Sequence, residues 1–390
     1  MEILENERRY DLDWIRVIPF GFLILYHVGM FFVPWGWHIK NNQIYDWLVY
    51  PMLFVNQWRL SLLFVVSGMG TYFALSKRTG WQFSKERLIR LLLPLAFGML
   101  VIVPPQVYFE RLDKNQFSGD YLSYWFSEAF KGAYPQGNLS WHHLWFLVYL
   151  LFFSLIFIPI FLYLRKNPEN ALLRFMKKLA SSPYTIYLLI LPLYIFESLV
   201  EPFFNSTHAF IGDWFNLLHY GTLFLYGFLL IAVRQTFWQT ILTHRFKFLT
   251  IGMINFSIFI FIIIQIRTGV WQDNAPVHFT EALFKVINLW SWILVIFGFA
   301  AHYLNKPSST LNYCNEAVYP FYILHQTITV ALGYYLKNAS VGLFIKFSLM
   351  SLGTFLIAWI LYELLIRRIG FIRPFFGLKS EKAKPLMKKV

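Results

Sequence analysis

Arg16 and His27 stand eleven residues apart in W-I-R-V-I-P-F-G-F-L-I-L-Y-H, inside the first long apolar run of the chain. At 100° per residue, eleven residues close three helical turns. The two side chains then share one helix face, about 16 Å apart along the axis. A guanidinium at the edge of a hydrocarbon layer and an imidazole deep within it are both costly, which marks the pair as functional. An imidazole so placed can take a proton from a hydroxyl or attack an acyl carbon. Pro19 lies between the two and can bend the helix, while Asp11 and Asp13 suit its N-cap or an ion pair with Arg16. A satisfied interhelical hydrogen bond is the plainer account of a lone buried His. The face shared with Arg16 favours chemistry.

Other polar side chains interrupt apolar runs. Arg87 and Arg90 form R-L-I-R, three residues apart at the expected start of a span. Two guanidinium forks on one face there can grip phosphate oxygens, with help from the amides of a helix N-terminus. Plain topology anchoring is the alternative. Arg59, beside Asn56 and Gln57, must face water, a carboxylate or a ligand, or snorkel to an interface. Ser67-Gly68 suits close helix packing through small residues. His38 in W-G-W-H and His143 in W-H-H-L-W-F-L fit an interfacial aromatic belt, or contacts to a sugar. Tyr322 and His325 lie three apart on one face, giving a second buried imidazole. Glu363 has Arg367 four residues on as a ready partner. Cys314 is the single cysteine, which excludes an intrachain disulfide, and it has no evident activator. The histidines show no metal-ligand spacing, so no metal site is expected.

The elements that must position these groups are membrane helices. Hydrophobic residues make up 57% of the 390, aromatics 21% and charged residues 14%, with a mean hydropathy of +0.50. A soluble chain carries about 25% charged residues. Ten segments can cross a bilayer of ~30 Å as helices. They are Trp14–Pro34, Leu48–Ser76, Leu91–Phe109, His142–Leu164, Pro183–Leu199, Trp214–Val233, Phe248–Ile266, Glu281–Leu304, Ala317–Leu336 and Val341–Ile366. The fifth is interrupted by Pro192 and Glu197. If both termini share a side, that side holds 24 Lys and Arg against six on the other, which places both termini in the cytoplasm.

The expected fold is thus an all-α integral-membrane bundle of about ten helices. A cytoplasmic segment (1–13) precedes the bundle (14–366), and a basic cytoplasmic tail (367–390) follows. The opening M-E-I-L-E-N-E-R-R-Y is too acidic for a signal peptide, so the first span is expected to stay in the mature protein. Y-L-S-Y-W-F-S-E-A-F, in the long stretch 110–141, reads as an interfacial hairpin or helix. The net charge of +14 is mostly a topology signal, and no nucleic-acid-binding pattern is present. No internal repeat is evident, which weighs against an inverted-repeat transporter.

Taken together, these pieces resemble the acyltransferase 3 family of bacterial integral-membrane acyltransferases. The family pairs an Arg and a His separated by ten residues in its first helix, here Arg16 and His27, and carries R-x-x-R in its third, here Arg87 and Arg90. F-V-V-S-G after Arg59, H-L-W-F-L at His143–Leu147 and F-Y-I-L-H at Phe321–His325 resemble further family signatures in the expected order. Among its branches the chain looks most like the one containing the succinyltransferase of osmoregulated periplasmic glucans. It departs from many members in placing Arg59 to Leu62 where they have an acidic residue. The resemblance implies transfer of an acetyl- or succinyl-type group from cytoplasmic acyl-CoA, a co-substrate with no permanently bound cofactor, to a hydroxyl of an exported glycan. His27 and Arg16 would be catalytic, Arg87 and Arg90 would hold the donor, and Arg59, His38, His143, Tyr322 and His325 would serve the substrate. The secreted hydrolase-like domain of some O-acetylating members is not expected, so the bundle must complete the transfer alone. The rival reading is a transporter or flippase that moves a glycan or lipid-linked precursor unaltered.

Overall fold

The computed structural model describes residues 8–272 and 274–380. The expected terminal segments therefore lie partly outside the described residues. The helices are α1 (Tyr10–Met30), α2 (Val49–Leu75), α3 (Gly80–Asp113), α4 (Tyr121–Ser127), α5 (His142–Ile156) and α6 (Ile158–Lys166). There follow α7 (Ala171–Ala180), α8 (Thr185–Val200), α9 (Trp214–Ala232), α10 (Arg234–Arg267), α11 (Ala275–Tyr303), α12 (Ser309–Leu336) and α13 (Leu343–Ile366). No strand is present among the described residues.

Helix occupies all ten expected positions, but seven helices are long and apolar enough to cross a membrane, or eight if α5 and α6, bent by 47°, count as one. The others depart for visible reasons. α8 is short and irregular, opening as a 3-10 turn and closing as a π turn. Trp290 and Tyr226 donate to its Ile186 and Leu189 carbonyls, satisfying backbone left over by that geometry. α12 is long but carries Asn312, Asn315, Glu316, His325 and Gln326. α3 begins at Gly80, not Leu91, because Thr79 and Gln82 cap it reciprocally, each side chain accepting from the other's backbone N–H at 3.0 and 3.2 Å.

The chain groups into two compact units. Of the described residues, those up to Pro19, with Leu53–Ser84 and Phe152–Leu311, form the first. Phe20–Met52, Lys85–Leu151 and the residues from Asn312 onward form the second.

In the first unit, α2 and α9 touch backbone to backbone. A Cβ added at Gly68 would stand 1.9 Å from the Phe224 carbonyl oxygen, and one at Gly227 would stand 1.9 Å from that of Val65. Only hydrogens fit at this crossing. Beside it the Phe161 and Phe228 rings stack at 3.8 Å. Arg9 anchors the start of α1 by binding Asp11 at 2.5 Å and lying 3.7 Å over the Trp238 ring.

In the second unit, α1, α3 and α12 run parallel. Phe20, His27 and Phe31 meet Tyr322, His325 and Gly333 in turn. Along α3, Arg90, Ile102, Phe109 and Asp113 meet Tyr319, Thr327, Tyr334 and Lys337. α13 runs the other way, pairing Gly353 with Leu332 and Glu363 with Tyr313. Beyond α13 the chain packs back, with Phe375 and Phe376 on Phe97 and Arg373 bonded to Glu316. In the long stretch 110–141, the aromatic piece forms α4, capped by Asp120.

After α1 the chain folds over itself. The Lys40 ammonium donates to the Met30 carbonyl at 2.6 Å, to that of Trp35 at 2.9 Å, and to that of Val33. Burial pushes this amine down to about 8. The loop so closed returns Trp37 and His38 toward the helices.

The glycine crossing gives a first prediction. Gly227→Ala should destabilise the protein by about 1–3 kcal/mol through overpacking, read as a lower midpoint of thermal unfolding in detergent. Gly21→Ala, where open space surrounds the position, should leave that midpoint unchanged or slightly higher.

Candidate active site

His27 on α1 and His325 on α12 meet ring to ring. His27 Nδ1 lies 2.7 Å from His325 Nε2, and the rings are 10° from parallel with centroids 4.9 Å apart, an edge-to-edge contact. The next bond fixes its direction. His325 Nδ1 is 2.7 Å from the Tyr322 carbonyl oxygen, which can only accept, so that nitrogen carries the proton. In neutral His325, Nε2 is then the acceptor, and His27 donates to it from Nδ1. The basic nitrogen of His27 is therefore Nε2. If it takes a proton, the new imidazolium already has a partner for its other N–H. His325 is wholly buried, while His27 is partly open, with the Trp37 ring centroid 5.2 Å away.

A continuous polar chain surrounds the pair. His143 stands edge-on to His325 at 5.2 Å, donates from Nε2 to the Ile323 carbonyl at 3.0 Å, and faces the Gln106 amide with Nδ1 at 3.5 Å. Tyr322 Oη donates to the His143 carbonyl at 2.7 Å. Gln326 Nε2 donates to Gln106 Oε1 at 3.1 Å and to His38 Nε2 at 3.2 Å. His38 Nδ1 reaches Glu110 Oε2 at 2.5 Å. Lys114 and the Tyr134 hydroxyl also donate to Glu110. Burial pushes the Tyr134 phenol up to about 12, so it remains a donor.

The paired arginines differ from expectation. Since α3 opens at Gly80, Arg87 and Arg90 lie beyond its second turn, and the N-terminal amides expected to hold an anion beside them are spent inside the helix. A π turn over Leu88–Leu92 also lies across the pair, so their common face is not that of a regular helix. Arg90 is exposed, 3.4 Å from Glu86, and Arg87 is partly buried. The Arg90 carbonyl accepts from Tyr319 Oη at 3.0 Å. From there the Tyr319, Tyr322 and His325 rings follow one another at centroid spacings of 6.2 and 6.1 Å. This aromatic file runs from the arginines to the histidine pair.

An acyltransferase domain model, that of the acyltransferase 3 family, matches residues 9–363. The chain belongs to this family. It is similar to the glucans biosynthesis protein C of Salmonella paratyphi B, 25% identical over 379 residues that make up 94% of each chain. The proteins of the same name from Escherichia coli O139:H28 and O17:K52:H18 are 23% and 24% identical, again over 94% of each chain. No solved structure matches.

In this acyltransferase the expected residues divide by unit. His27, His38, His143, Tyr322, His325, Arg87 and Arg90 belong to the second. Arg16 and Arg59 belong to the first. Arg16 lies 3.7 Å from Asp13, which also binds Arg8, whereas Asp11 is taken by Arg9. Both aspartates sit inside the first turn of α1, where they suit the helix dipole, instead of capping it. Arg59 is buried, bonded to Asn56 at 3.0 Å and within electrostatic reach of His208. Glu363 binds Arg367 as expected.

Sequence reasoning passed over Glu110, Gln106 and Gln326. Glu110 was placed one residue outside the third span, so it read as a loop acid; an acid within an apolar run would have flagged it. It also missed the pairing of buried Glu197 with half-buried Lys285 in the first unit. Among the described residues, no three His, Cys, Asp or Glu side chains gather to hold a metal ion.

Two substitutions separate positioning from packing. His325→Ala strips His27 of its acceptor and should lower acyl transfer by the purified protein about 100-fold or more. Tyr322→Phe loses only a bond to a backbone carbonyl. It should keep turnover within about threefold while losing ~1 kcal/mol of stability.

Proposed function

We propose that this protein is a multi-pass bacterial cytoplasmic-membrane O-acyltransferase. It moves an acetyl- or succinyl-type group from acyl-CoA on the cytoplasmic side to a hydroxyl of an exported glycan. The observation that carries this reading is the file Arg90–Tyr319–Tyr322–His325–His27, which joins a cationic end of α3 to a partly open imidazole with a defined basic nitrogen. Arg87 and Arg90 hold the donor phosphates. The pantetheine arm follows the aromatic file and brings the thioester to His27. Arg16 stands eleven residues before His27 on the continuous α1, within the first two turns of that helix. His27 Nε2 acts as general base toward the acceptor hydroxyl or as nucleophile toward the thioester. The buried setting keeps water from the thioester.

The charge bias supports ten spans with both termini in the cytoplasm. Helix directions in the second unit agree: α1, α3 and α12 would be the first, third and ninth crossings and run parallel, and α13 would be the tenth and runs opposite. The relatives named for glucan biosynthesis support a glycan acceptor.

The test is acyl transfer by purified protein with radiolabelled acetyl-CoA or succinyl-CoA. His27→Ala should abolish release of free CoA without loss of membrane insertion. Arg87→Ala or Arg90→Ala should raise the donor KM about tenfold or more, with kcat largely kept. A transporter would release no CoA, and near-normal turnover in the His27 variant would refute the mechanism.

A further inference from the structure

The second unit holds an imidazole–carboxylate pair as well as its two facing imidazoles. Besides His27–His325, the loop held shut by Lys40 carries His38, whose Nδ1 lies 2.5 Å from Glu110. Glu110 is 1% exposed and three donors converge on it: His38, Lys114 at 2.6 Å and Tyr134 at 3.1 Å. A carboxylate so held accepts the Nδ1 proton of His38, which leaves Nε2 as the basic nitrogen, the same outcome as at His27. Gln326 Nε2 donates to that nitrogen at 3.2 Å, longer than the Nδ1 bond to Glu110, and an incoming hydroxyl can displace it.

The surroundings point to a ligand. The Trp37 ring neighbours both basic imidazoles, 5.2 Å from His27 and 5.3 Å from His38. The His142 ring sits edge-on to His38 at 4.5 Å, and its buried Nε2 has no hydrogen-bond partner. His142 also adopts a φ of +38°, a left-handed backbone conformation that few residues other than glycine take up. A strained residue that holds an unsatisfied nitrogen beside a carboxylate-oriented imidazole is how a site is kept ready for a polar substrate. Along α3, Glu110 lies twenty-three residues from Arg87, ~35 Å in a regular helix.

Building on the acyl-transfer reading above, we propose that His38, positioned by Glu110, is the base for a carbohydrate hydroxyl, and that His27 is thereby committed to the donor as nucleophile. In the first step His27 Nε2 bonds to the acyl carbon, the carbon–sulfur bond breaks, and CoA leaves as thiolate with the electron pair. The Nδ1 proton of His27 passes to His325 Nε2. In the second step the acceptor O–H proton goes to His38 Nε2 while its oxygen bonds to the acyl carbon. The carbon–nitrogen bond breaks, its pair returns to His27 Nε2, and His325 gives back the Nδ1 proton. His38 releases its proton to water and the thiolate takes one up, so the overall change is thioester plus alcohol to ester plus thiol. The sugar face stacks on Trp37, and His142 Nε2 bonds a neighbouring hydroxyl.

The half-reactions separate this proposal from the reading it rests on. Purified wild-type, Glu110→Gln, His38→Gln and His27→Ala proteins are mixed with radiolabelled succinyl-CoA or acetyl-CoA, first without acceptor and then with a gluco-oligosaccharide pool. Wild type and both outer-pair variants should release about one CoA per protein as a burst without acceptor, which also certifies their folding. In the variants, transfer to the oligosaccharides should fall at least 100-fold at pH 7 and recover about tenfold per pH unit as hydroxide replaces the base. Lys114, Tyr134 and His142 face the same pair, so Lys114→Gln and Tyr134→Phe are run alongside and should not produce that slope. Transfer within threefold of wild type in both outer-pair variants, loss of both half-reactions together, absence of a wild-type burst, or no transfer to carbohydrate by wild type would each overturn the proposal. A burst surviving in His27→Ala would instead overturn the acyl-transfer mechanism itself.

Discussion

The proposed chemistry depends on one hydrogen bond, His27 Nδ1 to His325 Nε2. Alone, an imidazole inside a membrane bundle has two interchangeable nitrogens and no fixed task. The Tyr322 carbonyl decides the tautomer of His325, His325 decides that of His27, and the outcome is that Nε2 is the basic nitrogen of His27. The carbonyl is available because α12 presents Tyr322 and His325 one turn apart. The Phe20–Tyr322 and Phe31–Gly333 contacts on either side hold α1 and α12 in the register that lets the two rings meet.

That register is enforced by polar groups that cannot be left unsatisfied. Away from water, each unpaired amide, hydroxyl or ammonium costs several kcal/mol, so α3 and α12 are locked by Gln106, Thr327 and Gln326. Lys337 and Lys346 close the far end against Asp113 and Asn41. Lys40 ties the loop after α1 to the end of its own helix. The first unit joins close packing at the α2–α9 crossing to interhelical polar bonds of its own, such as Asn288 with Gln57 and Lys285 with Glu197.

Much of this was legible in the sequence. Apolar run length and the distribution of Lys and Arg are governed by the bilayer alone, so helix positions and the polar intrusions followed without tertiary knowledge. His27, His325, Tyr322 and His143 were picked out, yet that His27 and His325 pair across 298 residues was not visible, since no local pattern encodes it. The start of α3 was misplaced because hydropathy fades before a helix ends; the Thr79–Gln82 cap carried the missing signal. The ascription of a helix N-terminus to Arg87 and Arg90 failed for the same reason. Glu110 escaped notice because a one-residue error at a span end turns a buried acid into an ordinary loop residue.

The most direct test is a structure with a non-cleavable acyl-CoA analogue, its sulfur replaced by methylene, bound to the protein in lipid nanodiscs. The account predicts the acyl carbonyl carbon about 3–3.5 Å from His27 Nε2, the arm along Tyr319 and Tyr322, and the phosphates on Arg87 and Arg90. An analogue bound with its carbonyl remote from His27 and its phosphates off those arginines would contradict it.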